Sequence, residues 1–338
     1  MTERWTARPG WVALRHSVLM LGLLLATPAV PADHPEQQAI RPIQLPELDG
    51  RKVELGSMLF RDARLSGTHT LSCSSCHMLD HGGADGIERP VGASGRRHDF
   101  NTPSIFNAAL NPYMNWRGNQ RDLQRQSEAV LLHPDLMDGS WSVILPRLQV
   151  DADYQRRFRA AYGQEPRREA ILDALVQFQR SLVTPDAPFD RYLRGDEGAI
   201  GEAAKKGFLL FRDYGCIACH QGRNIGGNLF QRFGVFPPAE PATEDSQPAD
   251  LGRFLLTGRE EDRYLFRVPS LRNVAETAPY FHDGRQPLLG EAVRLMGQRQ
   301  LGRELLPEEV TRIVAFLQTL TGTYAGEALR SLPARQDR

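Results

Sequence analysis

Apolar residues recur with helical spacing in four stretches of the chain, and no stretch shows the sustained alternation of a β-strand. One short stretch and one longer stretch lie in the first half, and a similar pair lies in the second half. Pro307, a favoured residue for a first helical turn, marks the start of the last helix. The pattern therefore predicts a mostly α-helical protein. The four apolar stripes are Leu55, Met58 and Leu59; Ile171, Leu175, Phe178 and Leu182; Ala204, Phe208 and Phe211; and Val310, Ile313, Val314, Leu317 and Leu320.

Polar segments rich in proline and glycine separate these stripes. The stretch from Thr184 to Gly201 is the candidate boundary between two domains, at 33–190 and 191–338. A second such segment, Phe236–Asp250, contains four prolines and several acidic residues and predicts a surface loop. A length of 338 residues agrees with about two domains of ordinary size.

The N-terminus has the pattern of an export signal at residues 1–32. Arginines precede the apolar run Val18–Ala26, and Val30-Pro31-Ala32 offers a cleavage site of small residues. The apolar run is short for a membrane span, and prolines follow it at once. We expect a mature protein that begins near Asp33 in the periplasm. An uncleaved membrane anchor is the alternative.

Composition excludes some classes of function. The chain carries 41 basic and 41 acidic residues and has no run rich in Lys or Arg, so a nucleic-acid partner is not expected. The fractions of hydrophobic (41%) and charged (24%) residues are those of a soluble globular protein.

All four cysteines fall in two copies of Cys-x-x-Cys-His, the attachment motif of c-type heme. The spacing has a chemical reason: two thiols add to the vinyl groups of heme, and the adjacent His can ligate the iron. Two disulfides are the alternative for an exported chain, but they leave both His residues unexplained. The sequence therefore predicts two covalent hemes, at Cys73-Ser-Ser-Cys76-His77 and Cys216-Ile-Ala-Cys219-His220.

The chain resembles the bacterial diheme cytochrome c peroxidase family, which includes the MauG enzymes. The resemblance implies two cytochrome c-like heme domains in tandem. It also implies reduction of hydrogen peroxide at the N-terminal heme, and a C-terminal heme that takes electrons from a small cytochrome c or copper protein. A homodimer is implied as well. The matching segments are Leu55-Gly-Ser-Met-Leu-Phe, Leu65-Ser-Gly, Asn101-Thr-Pro-Ser, Trp116-Arg-Gly, Phe189–Asp196, Val268–Asn273, Thr277–Asp283 and Gln300-Leu-Gly302.

Several roles follow from the resemblance alone. His77 and His220 match the proximal iron ligands, and Met296 matches the second axial ligand of the C-terminal heme. The MauG enzymes have Tyr at that position, so Met296 favours the peroxidase branch. Trp116 matches the tryptophan between the hemes. The alternatives are an ordinary core methionine and a packing tryptophan.

The resemblance also implies an interdomain calcium site. Asn101 would supply its side-chain oxygen, and Thr277 and Pro279 would supply backbone carbonyls, all of them hard oxygen ligands. The alternative for Asn101 is a turn residue before Thr102-Pro103.

Two positions depart from the family pattern. Ala93 stands where many relatives have a His that caps the first heme. His98, five positions later, could replace that ligand by a loop shift, but it is expected to be an exposed loop residue beside Arg96 and Arg97. Gln126 matches the family's acid–base Gln, whereas Leu136 occupies the position of the accompanying Glu and cannot carry a proton. Nearby groups that could replace it are His133, Asp135 and Asp138.

Three functions are therefore compared. The leading interpretation is a periplasmic cytochrome c peroxidase. A MauG-like oxidase that modifies a partner protein is the second. A diheme electron carrier without substrate chemistry is the third, and Leu136 is the residue that favours it.

Overall fold

The computed structural model describes residues 39–236 and 247–330, which belong to one compact unit. The expected signal segment, with the alternative of an anchor, lies outside the described residues. So does most of the proline-rich loop. Within the described ranges, no helix combines the length and the apolar composition needed to cross a bilayer.

The described residues are mostly α-helical, which confirms the predicted class. Only two short antiparallel strand pairs occur in this part of the chain, β1 (Phe230–Arg232) with β2 (Leu265–Arg267) and β3 (Thr323–Tyr324) with β4 (Glu327–Ala328). The helices are α1 (Gly50–Phe60), α2 (Cys73–Cys76), α3 (Leu123–Leu131), α4 (Trp141–Gln149), α5 (Ala152–Tyr162), α6 (Arg168–Ser181), α7 (Pro188–Leu193), α8 (Glu202–Asp213), α9 (Phe254–Thr257), α10 (Leu289–Leu301) and α11 (Pro307–Gln318).

The first large core forms where α1 packs against α6. Leu55 and Leu59 on α1 are buried at 1% and 0% exposure, and the predicted apolar stripe of α6 faces them. Gly56 allows this close crossing, because a Cβ atom there would lie 1.9 Å from the carbonyl oxygen of Ala174.

The second large core repeats this arrangement with α8 and α11. A Cβ atom on Gly207 of α8 would lie 1.9 Å from the carbonyl oxygen of Arg312 on α11. Phe208 and Phe316 pack at this crossing with their ring centroids 5.3 Å apart. Each predicted pair of stripes is thus one packed pair of helices.

The two halves also share a local backbone conformation, an Asn with positive φ before a 3-10 turn. Asn107 and Asn273 both have φ of 60°, and each precedes a 3-10 turn. Their backbone N–H groups donate to the carbonyls of Leu182 and Leu320, which follow α6 and α11. This repetition agrees with the expected tandem of cytochrome c-like domains, while the boundary at 190 stays a prediction.

Buried polar groups join the two halves. Thr184 has no exposed surface, and its hydroxyl contacts the side chains of both Asn107 (2.8 Å) and Asn273 (3.0 and 3.2 Å). The first and last described segments also pack against the opposite half: Ile40 is buried in the second core, and Leu329 is buried in the first. The heme motifs are therefore held on one continuous scaffold.

Candidate active site

Two cavities of ≈ 290 Å³ each lie beside the Cys-x-x-Cys-His motifs. Cys73, Cys76 and His77 line the first, called cavity 1. The second, cavity 2, is lined by Cys216, Cys219 and His220. Each cavity thus contains one complete set of heme-attachment residues.

Local backbone geometry places the three residues of each motif together. Cys73–Cys76 forms the single turn α2, which continues through a hydrogen bond from the His77 N–H to the Cys73 carbonyl at 2.9 Å. In the second motif, the His220 N–H donates to the Cys216 carbonyl at 3.0 Å. Helical turns bring positions i, i+3 and i+4 to one face, so both thiols and the imidazole reach the same cavity.

All four cysteines are free and half-buried thiols. The structure therefore lacks the two disulfides that the alternative interpretation requires. Burial raises the pKa of Cys73 to about 12, and it raises the pKa of Cys76 and of Cys216 to about 11. Cys73, Cys76 and Cys216 are therefore protonated thiols at neutral pH.

Both motif histidines are neutral bases. Burial lowers the pKa of His220 to about 4, although the carbonyls of Ile225 and Pro269 face the ring and oppose this shift. Burial also lowers the pKa of His77, whose Nδ1 lies 3.2 Å from the Gly83 carbonyl. For His77, a proton held at Nδ1 by this carbonyl leaves Nε2 as the ligating nitrogen. The residues of both cavities therefore fit a covalent heme.

Cavity 2 has a second soft donor in its wall. Met296 on α10 is half-buried and lines this cavity together with His220. Asn101, Thr277 and Pro279 line the same cavity. The structure thus brings together all the residues assigned to cavity 2 and to calcium, while their roles stay predictions.

Cavity 1 contains the predicted Gln126 and the leucine that departs from the family pattern. Gln126 on α3 forms two hydrogen bonds with the Asn115 amide, at 3.0 and 3.1 Å. Leu136 is half-buried and lines the same cavity. The pocket therefore has a fixed amide, but an aliphatic side chain at the second acid–base position.

The two departures from the family pattern are hydrogen-bonded neighbours, although Ala93 itself is not among the residues that line cavity 1. The Ala93 N–H donates to the Leu136 carbonyl at 2.8 Å. Gly92 lies so close to the neighbouring loop that a Cβ atom would stand 1.8 Å from the Asp135 carbonyl oxygen. The loops that carry Ala93 and Leu136 thus form one continuous surface of cavity 1.

The side chain of His98 is less exposed than predicted. The bridge between Val91 and Arg97, and the bond from the His98 N–H to the Pro90 carbonyl (2.7 Å), turn this side chain inward. His98 is half-buried and lines cavity 1, whereas its neighbours Arg96 and Arg97 are exposed. Its local sequence resembles an ordinary polar loop, so only the folded backbone reveals this placement.

His133 also lines cavity 1, at an exposed position 6.5 Å from the His98 ring centroid. Asp135 and Asp138 are not among the residues that line the cavity. Of the three groups proposed to replace the missing Glu, His133 is thus the one that the structure brings to the cavity.

Cavities 1 and 2 share a wall, which consists of Asn101–Ser104, Asn111, Trp116 and Arg267. Trp116 is 9% exposed, and its indole N–H donates to the Asn101 carbonyl at 2.9 Å. Trp116 thus lines both cavities, while its role between two hemes stays a prediction. Sequence reasoning missed Arg267 and Asn115, because the burial of a charged side chain has no local sequence signature. The fold and the two attachment sites together define a diheme c-type cytochrome.

Comparison with known proteins extends this class to a family. Residues 50–198 match the family model described as di-haem cytochrome c peroxidase. The chain is 42% identical over 284 residues to the cytochrome c peroxidase Ccp of Escherichia coli K12, a match that covers 84% of this chain and 60% of that protein. It is 38% identical to the cytochrome c551 peroxidase of Nitrosomonas europaea, with 93% of this chain and 92% of the relative covered.

A solved structure agrees with these relatives. The crystal structure of a MauG-like protein associated with microbial copper homeostasis superposes with a TM-score of 0.73 at 30% identity, covering 84% of this chain and 94% of that one. The chain therefore belongs to the di-haem cytochrome c peroxidase family. This confirms the predicted enzyme class, a peroxidase-type oxidoreductase with two c-type hemes.

Proposed function

We propose that the protein is a periplasmic cytochrome c peroxidase that reduces hydrogen peroxide to water with electrons from a small redox protein. The observation that carries this proposal is the difference between its two cavities. Both cavities have methionine and glutamine or asparagine side chains in their walls, but Met296 of cavity 2 stands at the position that the resemblance assigns to the second iron ligand, and Gln126 of cavity 1 stands at the position of the family's acid–base Gln. One cavity suits electron entry, and the other suits a small polar substrate.

The reaction breaks one O–O bond and consumes two electrons and two protons to form two water molecules. Bound hemes supply the iron-centred electron transfer and the O–O cleavage that this reaction needs. The protein supplies neutral His77 and His220 as iron ligands, which push electron density towards the metal.

In cavity 2, a thioether ligand favours the reduced state of iron and raises its potential. Met296 therefore suits the site that first accepts an electron. Trp116 lies in the shared wall, where its indole N–H is fixed to the Asn101 carbonyl. The proposed electron path runs from the Met296 cavity past Trp116 to cavity 1.

In cavity 1, Gln126 orients the peroxide. Its amide has four hydrogen-bonding positions, and the two bonds to Asn115 leave the remainder for substrate. His98 and His133 supply the proton transfer that Leu136 cannot provide. The Nδ1 of His98 lies 3.2 Å from the Phe100 N–H and 3.3 Å from the Phe100 carbonyl, so the ring keeps a partner in either protonation state.

Calcium is the proposed ion between the two halves. The Asn101 amide nitrogen donates to the carbonyls of Ile87 (3.0 Å) and Glu88 (3.3 Å), and its oxygen is the atom available to a cation. The carbonyls of Thr277 and Pro279 complete the protein ligands of this proposed site. The proposed assembly is a homodimer.

Two other functions remain in competition. A MauG-like oxidase has support from the similarity to the MauG-like copper-homeostasis protein. Met296 argues against it, since the resemblance places Tyr there in MauG enzymes. A pure electron carrier is favoured by Leu136, because that side chain removes a proton-transfer group from cavity 1.

Turnover with a reduced small cytochrome c, and separately with a reduced copper protein, tests the proposal. We expect two donor molecules oxidised for each peroxide consumed, and a loss of activity in Gln126→Leu. The matched control Gln124→Leu changes an exposed residue of the same helix and should retain activity. Oxidation of no more than two donor molecules per chain, as its two hemes are reduced, with no peroxide consumed, would identify a carrier. A covalently modified partner protein would identify the MauG-like activity.

A further inference from the structure

Arg267 is a buried cation that has no acidic partner among the residues that the structure describes. Its side chain is 4% exposed, and no carboxylate in the described ranges forms an ion pair with it. The guanidinium donates to the carbonyls of Asn115 (Nε, 2.8 Å) and Val268 (Nη1, 3.4 Å). Neutral carbonyls do not balance its charge, and a buried charge is costly unless it is paired.

A second buried arginine shows the contrast. Arg272 is 3% exposed, and its Nη1 lies 2.8 Å from Oδ1 of Asp190, which is itself fully buried. The fold thus provides a carboxylate for Arg272 but none from the described residues for Arg267. A molecule bound in the space that Arg267 faces can supply the charged partner.

That space is the region where the two cavities adjoin. Arg267 belongs to the shared wall, and its backbone N–H is anchored to the Trp116 carbonyl at 2.8 Å. Heme carries its propionate carboxylates on the porphyrin edge away from the vinyl groups that the thiols attack. Arg binds carboxylates through parallel N–H donors, and such bonds are strong where water is excluded.

We infer that Arg267 is the binding site for heme propionate at the wall between the two cavities. It neutralises this carboxylate and thereby raises the reduction potential of the heme that carries it. Through Asn115, it is also connected to the amide of Gln126. The inference rests on the two hemes that the proposed function requires, but it does not depend on peroxide turnover.

Spectroelectrochemical titration of the diheme protein tests this inference. Arg267→Gln removes the cation, which leaves a propionate charge that favours ferric iron. We expect the equilibrium constant for reduction to fall about tenfold, which is about 59 mV for a one-electron couple. The potential should also acquire a new pH dependence across neutral pH, because the carboxylate loses its fixed counter-charge and its pKa rises. Arg267→Lys should show a smaller shift in the same direction.

A control variant separates the effect of Arg267 from a general effect of removing a positive charge. Arg121→Gln removes an exposed cation that packs over Tyr113, and it should leave both potentials unchanged. The affected titration wave shows whether the propionate belongs to the heme of cavity 1 or of cavity 2. Unchanged potentials in Arg267→Gln, or an equal shift in Arg121→Gln, would overturn the inference. If Arg267→Gln is not recovered with two hemes, the Arg267→Lys shift decides, and an unchanged potential there overturns it. A wild-type protein that has both heme potentials as expected but does not turn over peroxide would count against the proposed function, not against this inference.

Discussion

Replacing Leu136 with Glu restores a proton-transfer group to the wall of cavity 1. The backbone of Leu136 is held at both ends of its peptide: its N–H donates to the His133 carbonyl at 3.0 Å, and its carbonyl accepts from Ala93 at 2.8 Å. The side chain can therefore change without moving the loop. Because Leu136 is half-buried and lines the cavity with Gln126, the new carboxyl group faces the space where peroxide is proposed to bind.

A positioned acid–base group accelerates proton transfer by about a hundredfold to ten-thousandfold. This range corresponds to about 2.7–5.4 kcal/mol of activation free energy at about 1.36 kcal/mol for each factor of ten. We expect Leu136→Glu to reach at least the lower end of this range in kcat/KM for peroxide. In the proposed mechanism, His98 and His133 already transfer protons in the wild-type protein. The gain can therefore reach ten-thousandfold only if their contribution is small.

Rapid mixing of the reduced protein with peroxide measures this change directly. Leu136→Gln is the isosteric control that cannot transfer a proton, and it should remain as slow as the wild-type protein. Leu132→Glu places the same charge at an exposed position of the loop outside the cavity wall, and it should also have no effect. A Leu136→Glu rate equal to that of Leu136→Gln would refute the reasoning. Either His98 and His133 already saturate proton transfer in that case, or peroxide is not the substrate.

Three further predictions address other parts of the structure. Met296→Leu should abolish the low-spin His/Met spectrum of the heme in cavity 2 and lower its potential; an unchanged spectrum makes Met296 a core residue. The heme of cavity 1 should give a high-spin ferric EPR signal that Ala93→His diminishes and His98→Ala retains. If the wild-type protein lacks this signal and His98→Ala restores it, His98 is the ligand instead. Asp190→Asn should cost about 3–5 kcal/mol of unfolding free energy, because it leaves buried Arg272 without its partner at 2.8 Å. The control Asp186→Asn breaks an exposed pair with Arg194 and should cost at most about 1 kcal/mol in denaturant unfolding; equal costs would contradict the assigned burial.

Features that depend on neighbouring residues were predictable from the sequence. The helical stripes of α1, α6, α8 and α11 follow from a local period, and the structure confirms them. The attachment motifs are equally local, because one turn of helix must carry both thiols and the imidazole. The resemblance to a family then pointed to Met296 and Gln126, and the structure places each in the expected cavity.

Features that depend on contacts between distant segments were not predictable. The inward turn of His98 requires a loop closed by the Val91–Arg97 bridge. The burial of Arg267 without a carboxylate from the described residues arises only when β2 packs beside the Asn115–Trp116 segment. The connection between Ala93 and Leu136 is likewise a long-range hydrogen bond. In each case, the residue type is ordinary for its local sequence, and the tertiary environment gives it a role.

The EPR spectrum of the as-isolated, fully oxidised protein, with heme content measured on the same sample, tests the central claim most directly. The account predicts two covalent hemes per chain, attached at Cys73/Cys76 and Cys216/Cys219. It predicts one low-spin ferric signal from the site of His220 and Met296, and one high-spin signal from the site of His77. Fewer than two covalent hemes, or two low-spin signals, would contradict it.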